Sequence, residues 1–132
     1  MKTTSPIVRA NATFKVYTSE ILGEIQEVKE YLDTNERAKV AANRDTVYTM
    51  LNVAEGQCIE FYDKACRMEL AQDHGRRLCS ILGSLLKSIA VVDGATGLTL
   101  TNGRCSEGSN MNTLLRLAGN DMLRLSESFK NA

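Results

Sequence analysis

Between residues 40 and 72 the apolar positions return every seven residues. Val40, Val47, Ala54, Phe61 and Met68 form one series, and Arg44, Leu51, Cys58, Ala65 and Gln72 form the other. Their alternating steps of four and three gather both series on one side of an α-helix packed lengthwise against its neighbours. Tyr48, Ile59 and Tyr62 lie off this seam, so the apolar face is wider than a two-stranded coiled coil needs, and a bundle is expected. The frame continues in phase through Gly75, Cys79, Leu82, Leu86 and Ile89. A single helix over 36–90 would be about 80 Å long. Gln72 and Gly75 are its weakest members, however, and Asp73-His74-Gly75 reads as a helix end, because glycine accepts the left-handed conformation after a last turn. The expectation is therefore a break at 73–76, with His74 at a helix C-terminus, where the dipole favours a cation.

Other periods appear on either side. Val8, Ala10, Ala12, Phe14 and Val16 alternate with polar residues, which predicts a strand over 8–17 or an extended arm within 1–17. Thr18 or Ser19 then caps a helix whose stripe is Ile21, Ile25, Val28 and Leu32, and Asp33, Thr34 or Asn35 caps the next. Residues 77–92 are so apolar that this helix should be central, with Gly83 and Ser84 allowing a neighbour to come close. The stretch 93–110 is rich in glycine, asparagine and threonine, a loop composition, with a short strand expected at Leu98-Thr99-Leu100-Thr101. Ser109 or Asn110 opens a final helix, whose stripe is Met111, Leu115, Ala118, Met122, Leu125 and Phe129. Gly119 weakens it by about 1 kcal/mol relative to alanine, so packing must hold it. The fold class is mainly α: an antiparallel bundle of three or four helices. It forms a single domain over 1–132, with a minor β element from the N-terminal arm and 98–101.

Composition narrows the function classes. The chain has 132 residues, with 16 basic and 16 acidic side chains, so no global field draws it to nucleic acid or an anionic membrane. No apolar run approaches the roughly 18 residues of a membrane span. The first residues lack the apolar core of a secretory signal, and the four cysteines form no C-x-x-C pair. Reduced thiols and a cytoplasmic location are expected.

Candidate chemistry is sparse. His74, the only histidine, sits beside Asp73 and near Cys79, but on a continuous helix positions 74 and 79 diverge by about 140°. No phosphate loop, H-E-x-x-H or calcium-loop pattern occurs, no catalytic or metal-ligating residue is assigned, and no cofactor is expected. Glu20, Glu24 and Glu27 line one stripe, most simply a solvated face. Arg76 and Arg77, with His74, are the candidate contacts for an anion or for nucleic acid, since guanidinium groups grip phosphate bidentately. The first functional expectation is a non-enzymatic interaction module acting as an oligomeric scaffold, adaptor or subunit, most simply a symmetric homodimer. Its helix-packing or oligomer face would be Val47, Leu51, Ala54, Cys58, Phe61, Ala65 and Met68. The alternatives are a nucleic-acid-binding regulator using Arg76 and Arg77, and a bundle that binds a small ligand or cofactor.

Overall fold

The computed structural model describes residues 5–96 and 111–132. Within them the chain forms α1 (Pro6–Thr34), the short α2 (Glu36–Lys39), α3 (Arg44–Arg67), α4 (Gln72–Thr96) and α5 (Met111–Lys130), and no strand. The segment 98–101 lies outside the described residues.

The N-terminal arm is helix, which corrects the expected strand. Ser5 stands at the N-cap and Pro6 in the first turn, where its missing N–H costs nothing. Ala10 and Phe14 are buried, whereas Val8, Ala12 and Val16 of the alternating set are exposed. A spacing of four satisfies a period of two as well as the helical period, so positions 10 and 14 share a face either way. Thr18 does not start a helix. It is buried in mid-helix, where its hydroxyl donates to the Phe14 and Lys15 carbonyls at 2.9 and 3.1 Å. Asn35 does cap, its Oδ1 accepting from the Ala38 amide at 3.1 Å.

The long heptad frame is cut at both ends. Helix α3 starts at Arg44, leaving Val40 outside it and 83 % exposed. It stops at Arg67, with Met68 extended at φ −152°. The break therefore falls at 68–71, ahead of the expected 73–76, and its cause is distant in sequence. Leu70 is buried, and its amide donates to Asn11 Oδ1 at 2.7 Å while Asn11 Nδ2 donates to the Leu70 carbonyl at 3.0 Å. One asparagine on α1 thus replaces the helical partners that the chain gives up at this corner.

Helix α4 then runs unbroken through Gly75, which serves close approach and no helix end. A methyl group there would overlap the ring of Phe129. That ring is buried and meets Phe14 edge-on, with centroids 6.1 Å apart and planes at 82°.

The contacts order the helices as an up-down-up-down ring. Asn11 meets Leu70, Lys29 pairs with Glu55, and Asp33 meets Tyr48, so α1 and α3 are antiparallel. Gly75 lies against Phe129, Ser80 against Ser126, and Gly83 against Gly119, so α4 and α5 are antiparallel too. Phe14 on Phe129 and the Glu24 carboxylate near Asp121 close the ring between α1 and α5. One core joins all four long helices, with Phe14, Ile25, Leu51, Leu82, Leu115 and Phe129 among its buried side chains. No described helix is long and apolar enough to cross a membrane.

Candidate functional site

The heptad stripe is internal. Val47, Leu51, Ala54, Cys58, Phe61 and Ala65 are at most 5 % exposed and belong to the chain's own core, while Met68, at the α3 C-cap, is 57 % exposed. Those six side chains close the bundle and are not available to a partner while it is folded.

A different stripe of α3 is open. Ile59 and Tyr62 are 55 % and 43 % exposed, and Cys66 is exposed one turn further on. At 100° per residue these three lie within about 40° of Glu55 around the helix. Glu55 accepts from Lys29 of α1 at 3.1 Å, so this flank of α3 borders α1. On α1, Leu22 stands seven residues before Lys29 on the same flank and packs, half-buried, against the core. The result is an apolar strip along the outer α1/α3 edge. It is bounded by the Lys29–Glu55 pair and, further along, by Asp33 with Arg44 and Tyr48. The sequence marked Ile59 and Tyr62 only as residues off the seam.

The second feature lies at the other side of the ring. Arg76 and Arg77 on α4 join Lys130 of α5 around a cleft of about 500 Å³, with Ser80 and Ser126 on its walls and Asp73 and Glu127 also lining it. Arg76 approaches Asp73 only to 3.8 Å. The Ser126 hydroxyl donates to the Arg76 carbonyl at 3.2 Å and lies 3.2 Å from the Ser80 hydroxyl. His74 does not line this cleft, being about 160° around the helix from Arg76. Because α4 begins at Gln72, His74 occupies a first turn, where the helix dipole no longer favours a cation. Lys130 was not legible as a member, since 53 residues separate it from Arg77 and only the antiparallel α4/α5 pairing joins them.

Among the described residues, the buried thiols Cys58 and Cys79 are not placed as nucleophiles. Cys79 is buried on the opposite side of α4 from His74, and burial pushes its thiol up to about 12. Burial, helped by Glu55 and Glu24, does the same to Cys58. Both are therefore fully protonated near neutrality and poor nucleophiles. Cys58, Cys66 and Cys79 are free of disulfides. Among the described residues no group of three or more His, Cys, Asp or Glu side chains is arranged to hold a metal ion.

Of the acidic stripe, Glu20 and Glu24 line a cavity of about 230 Å³ between α1 and α5, together with Asp121 and the apolar Leu114 and Leu117. Burial first, then the charges of Glu20, Asp121 and Glu27, raises the Glu24 carboxyl above its ordinary value. Its Oε2 is buried without a hydrogen-bond partner. Of the stripe read most simply as a solvated face, Glu20 and Glu27 are exposed while Glu24 is partly tucked under α5. No family model, curated protein or solved structure matches this chain.

Proposed function

We propose that the chain is a non-catalytic, cytoplasmic protein–protein interaction module that self-associates as a symmetric dimer through the outer α1/α3 edge. The observation that carries this reading is the pairing of Ile59 and Tyr62, two large apolar side chains left about half exposed on one flank. An isologous contact doubles each of them, so four such groups leave water in a single event. Apolar burial of this kind contributes about 1.5–3 kcal/mol for each fully covered side chain. Equal numbers of basic and acidic residues mean that two copies meet without net repulsion. The seven-residue frame supports the reading indirectly, by supplying a rigid rod on which the outer strip is displayed.

Sedimentation equilibrium tests it. The wild-type chain is expected to form a concentration-dependent dimer, and Ile59→Glu with Tyr62→Glu to weaken that dimer by about a hundredfold, some 2.8 kcal/mol. Val16→Glu, at a position 52 % exposed on α1, is expected to leave it intact. A wild-type chain that stays monomeric at high micromolar concentration removes the proposal.

A further inference from the structure

We infer that the cleft between the start of α4 and the end of α5 is a binding site for a single phosphoryl group, carried by a small phosphorylated molecule or present as inorganic phosphate. This inference does not depend on the dimer. Two guanidinium groups and one ammonium converge there from two helices. Arg77 and Lys130 make no side-chain ion pair with any described residue, and the Arg76–Asp73 contact at 3.8 Å is long and solvent-exposed. An exposed pair of that kind contributes at most about 1 kcal/mol, so Arg76 can turn to a stronger acceptor at little cost.

Asp73 and Glu127 offset two of the three positive charges and leave one, whichever acceptor Arg76 takes. What favours a phosphoryl group over a carboxylate is the donor set: guanidinium groups present parallel N–H donors that match adjacent phosphoryl oxygens. At the wall the Ser126 hydroxyl donates to the Arg76 carbonyl and the Ser80 hydroxyl donates in turn to Ser126, so the cations are the donors left for a ligand. The volume of about 500 Å³ suits a small molecule.

A nucleic-acid backbone fits less well. The two carboxylates would face the phosphates on either side of the one bound. No aromatic side chain lines the cleft to stack a base.

The experiment is calorimetric titration at pH 7.5 and constant ionic strength, using inorganic phosphate, glycerol 3-phosphate and chloride as probes, with a short single-stranded oligonucleotide as a fourth. Phosphate or glycerol 3-phosphate is expected to bind where chloride does not. The affinity should fall tenfold or more in Arg76→Gln with Arg77→Gln, and measurably in Lys130→Gln, while the exposed Arg116→Gln leaves it unchanged. Tighter binding of glycerol 3-phosphate than of phosphate identifies a monoester as the ligand, and equal binding identifies the free ion. Circular dichroism of each variant checks that the bundle is intact, and Lys130→Gln carries the test should the double variant unfold. Three results overturn the inference: heats that chloride reproduces, phosphate binding indifferent to both the double variant and Lys130→Gln, or an oligonucleotide that binds more tightly than either phosphate with an affinity falling steeply with salt.

Discussion

The bundle has two kinds of helix pair. Between α4 and α5 the backbones nearly touch: a methyl group built on Gly83 would stand 3.0 Å from the Gly119 carbonyl oxygen, and one on Gly119 would stand 2.9 Å from that of Gly83. Between α1 and α3 the outer edge is bridged by long polar side chains. Lys29 reaches Glu55, Arg44 reaches Asp33 at 2.9 Å, and Tyr48 donates to Asp33 while its ring lies under both cations. The glycines on this side, Gly23 and Gly56, have nothing within 4 Å of a would-be methyl group. The same residue type is therefore a packing device in one pair and a gap in helix propensity in the other. Both pairs leave apolar side chains on their outer faces, Ile59 and Tyr62 on the bridged one and Ile81, Val91 and Leu117 on the tight one. The two therefore differ in how their backbones approach and not in how much apolar surface they cover.

The largest effect that bears on this contrast belongs to Asn11. Asn11→Ala leaves the buried Leu70 amide and carbonyl without partners, at about 1–3 kcal/mol each. Urea denaturation should show a loss of about 3 kcal/mol. Unchanged stability would mean that the corner after α3 has another support.

Next come the crossing glycines. Gly119→Ala gains about 1 kcal/mol of helix propensity but forces two backbones apart. Overpacking of this kind costs about 1–3 kcal/mol, so a net loss is expected, for Gly83→Ala as well. Gly23→Ala and Gly56→Ala should move the other way, each raising stability by about 0.5–1 kcal/mol. Opposite signs for the two pairs sharpen the comparison, and like signs break it.

The smallest effect is electrostatic. Folding raises the Glu24 carboxyl above its ordinary 4.5, so between that value and the raised one the folded chain binds more protons than the unfolded. Stability must then fall as pH rises through this window. Glu24→Gln removes the fall. Its Tm should exceed that of the wild type at neutral pH and match it below about pH 4.

What could be read from the sequence follows the range of each interaction. The helical faces were legible because burial follows a local period, as Val47 to Ala65 in α3 and Leu115 to Phe129 in α5 show. Gly83 was legible as a point of close approach, although its partner Gly119 was visible only as a weakness in its own helix. The end of α3 was not legible, because Asn11 acts on Leu70 across 59 residues. The N-terminal helix was missed where a spacing of four mimicked alternation. Of the cleft, Arg76 and Arg77 stood out as neighbours, while Lys130 joins them only through the fold. The interaction face was sought on the apolar seam. Intramolecular packing had the prior claim on that seam, and the exposed pair sits on its flank.

Hydroxyl-radical footprinting at low and high protein concentration tests the central claim most directly, because two tyrosines on different sides of α1 report together. Tyr62 lies on the outer α1/α3 edge, and Tyr17 lines the α1/α5 groove. As concentration rises, oxidation of Tyr62 and Cys66 should drop several-fold while that of Tyr17 stays constant. Equal protection of both tyrosines, or none of Tyr62 in a sample that has dimerised, would contradict the account.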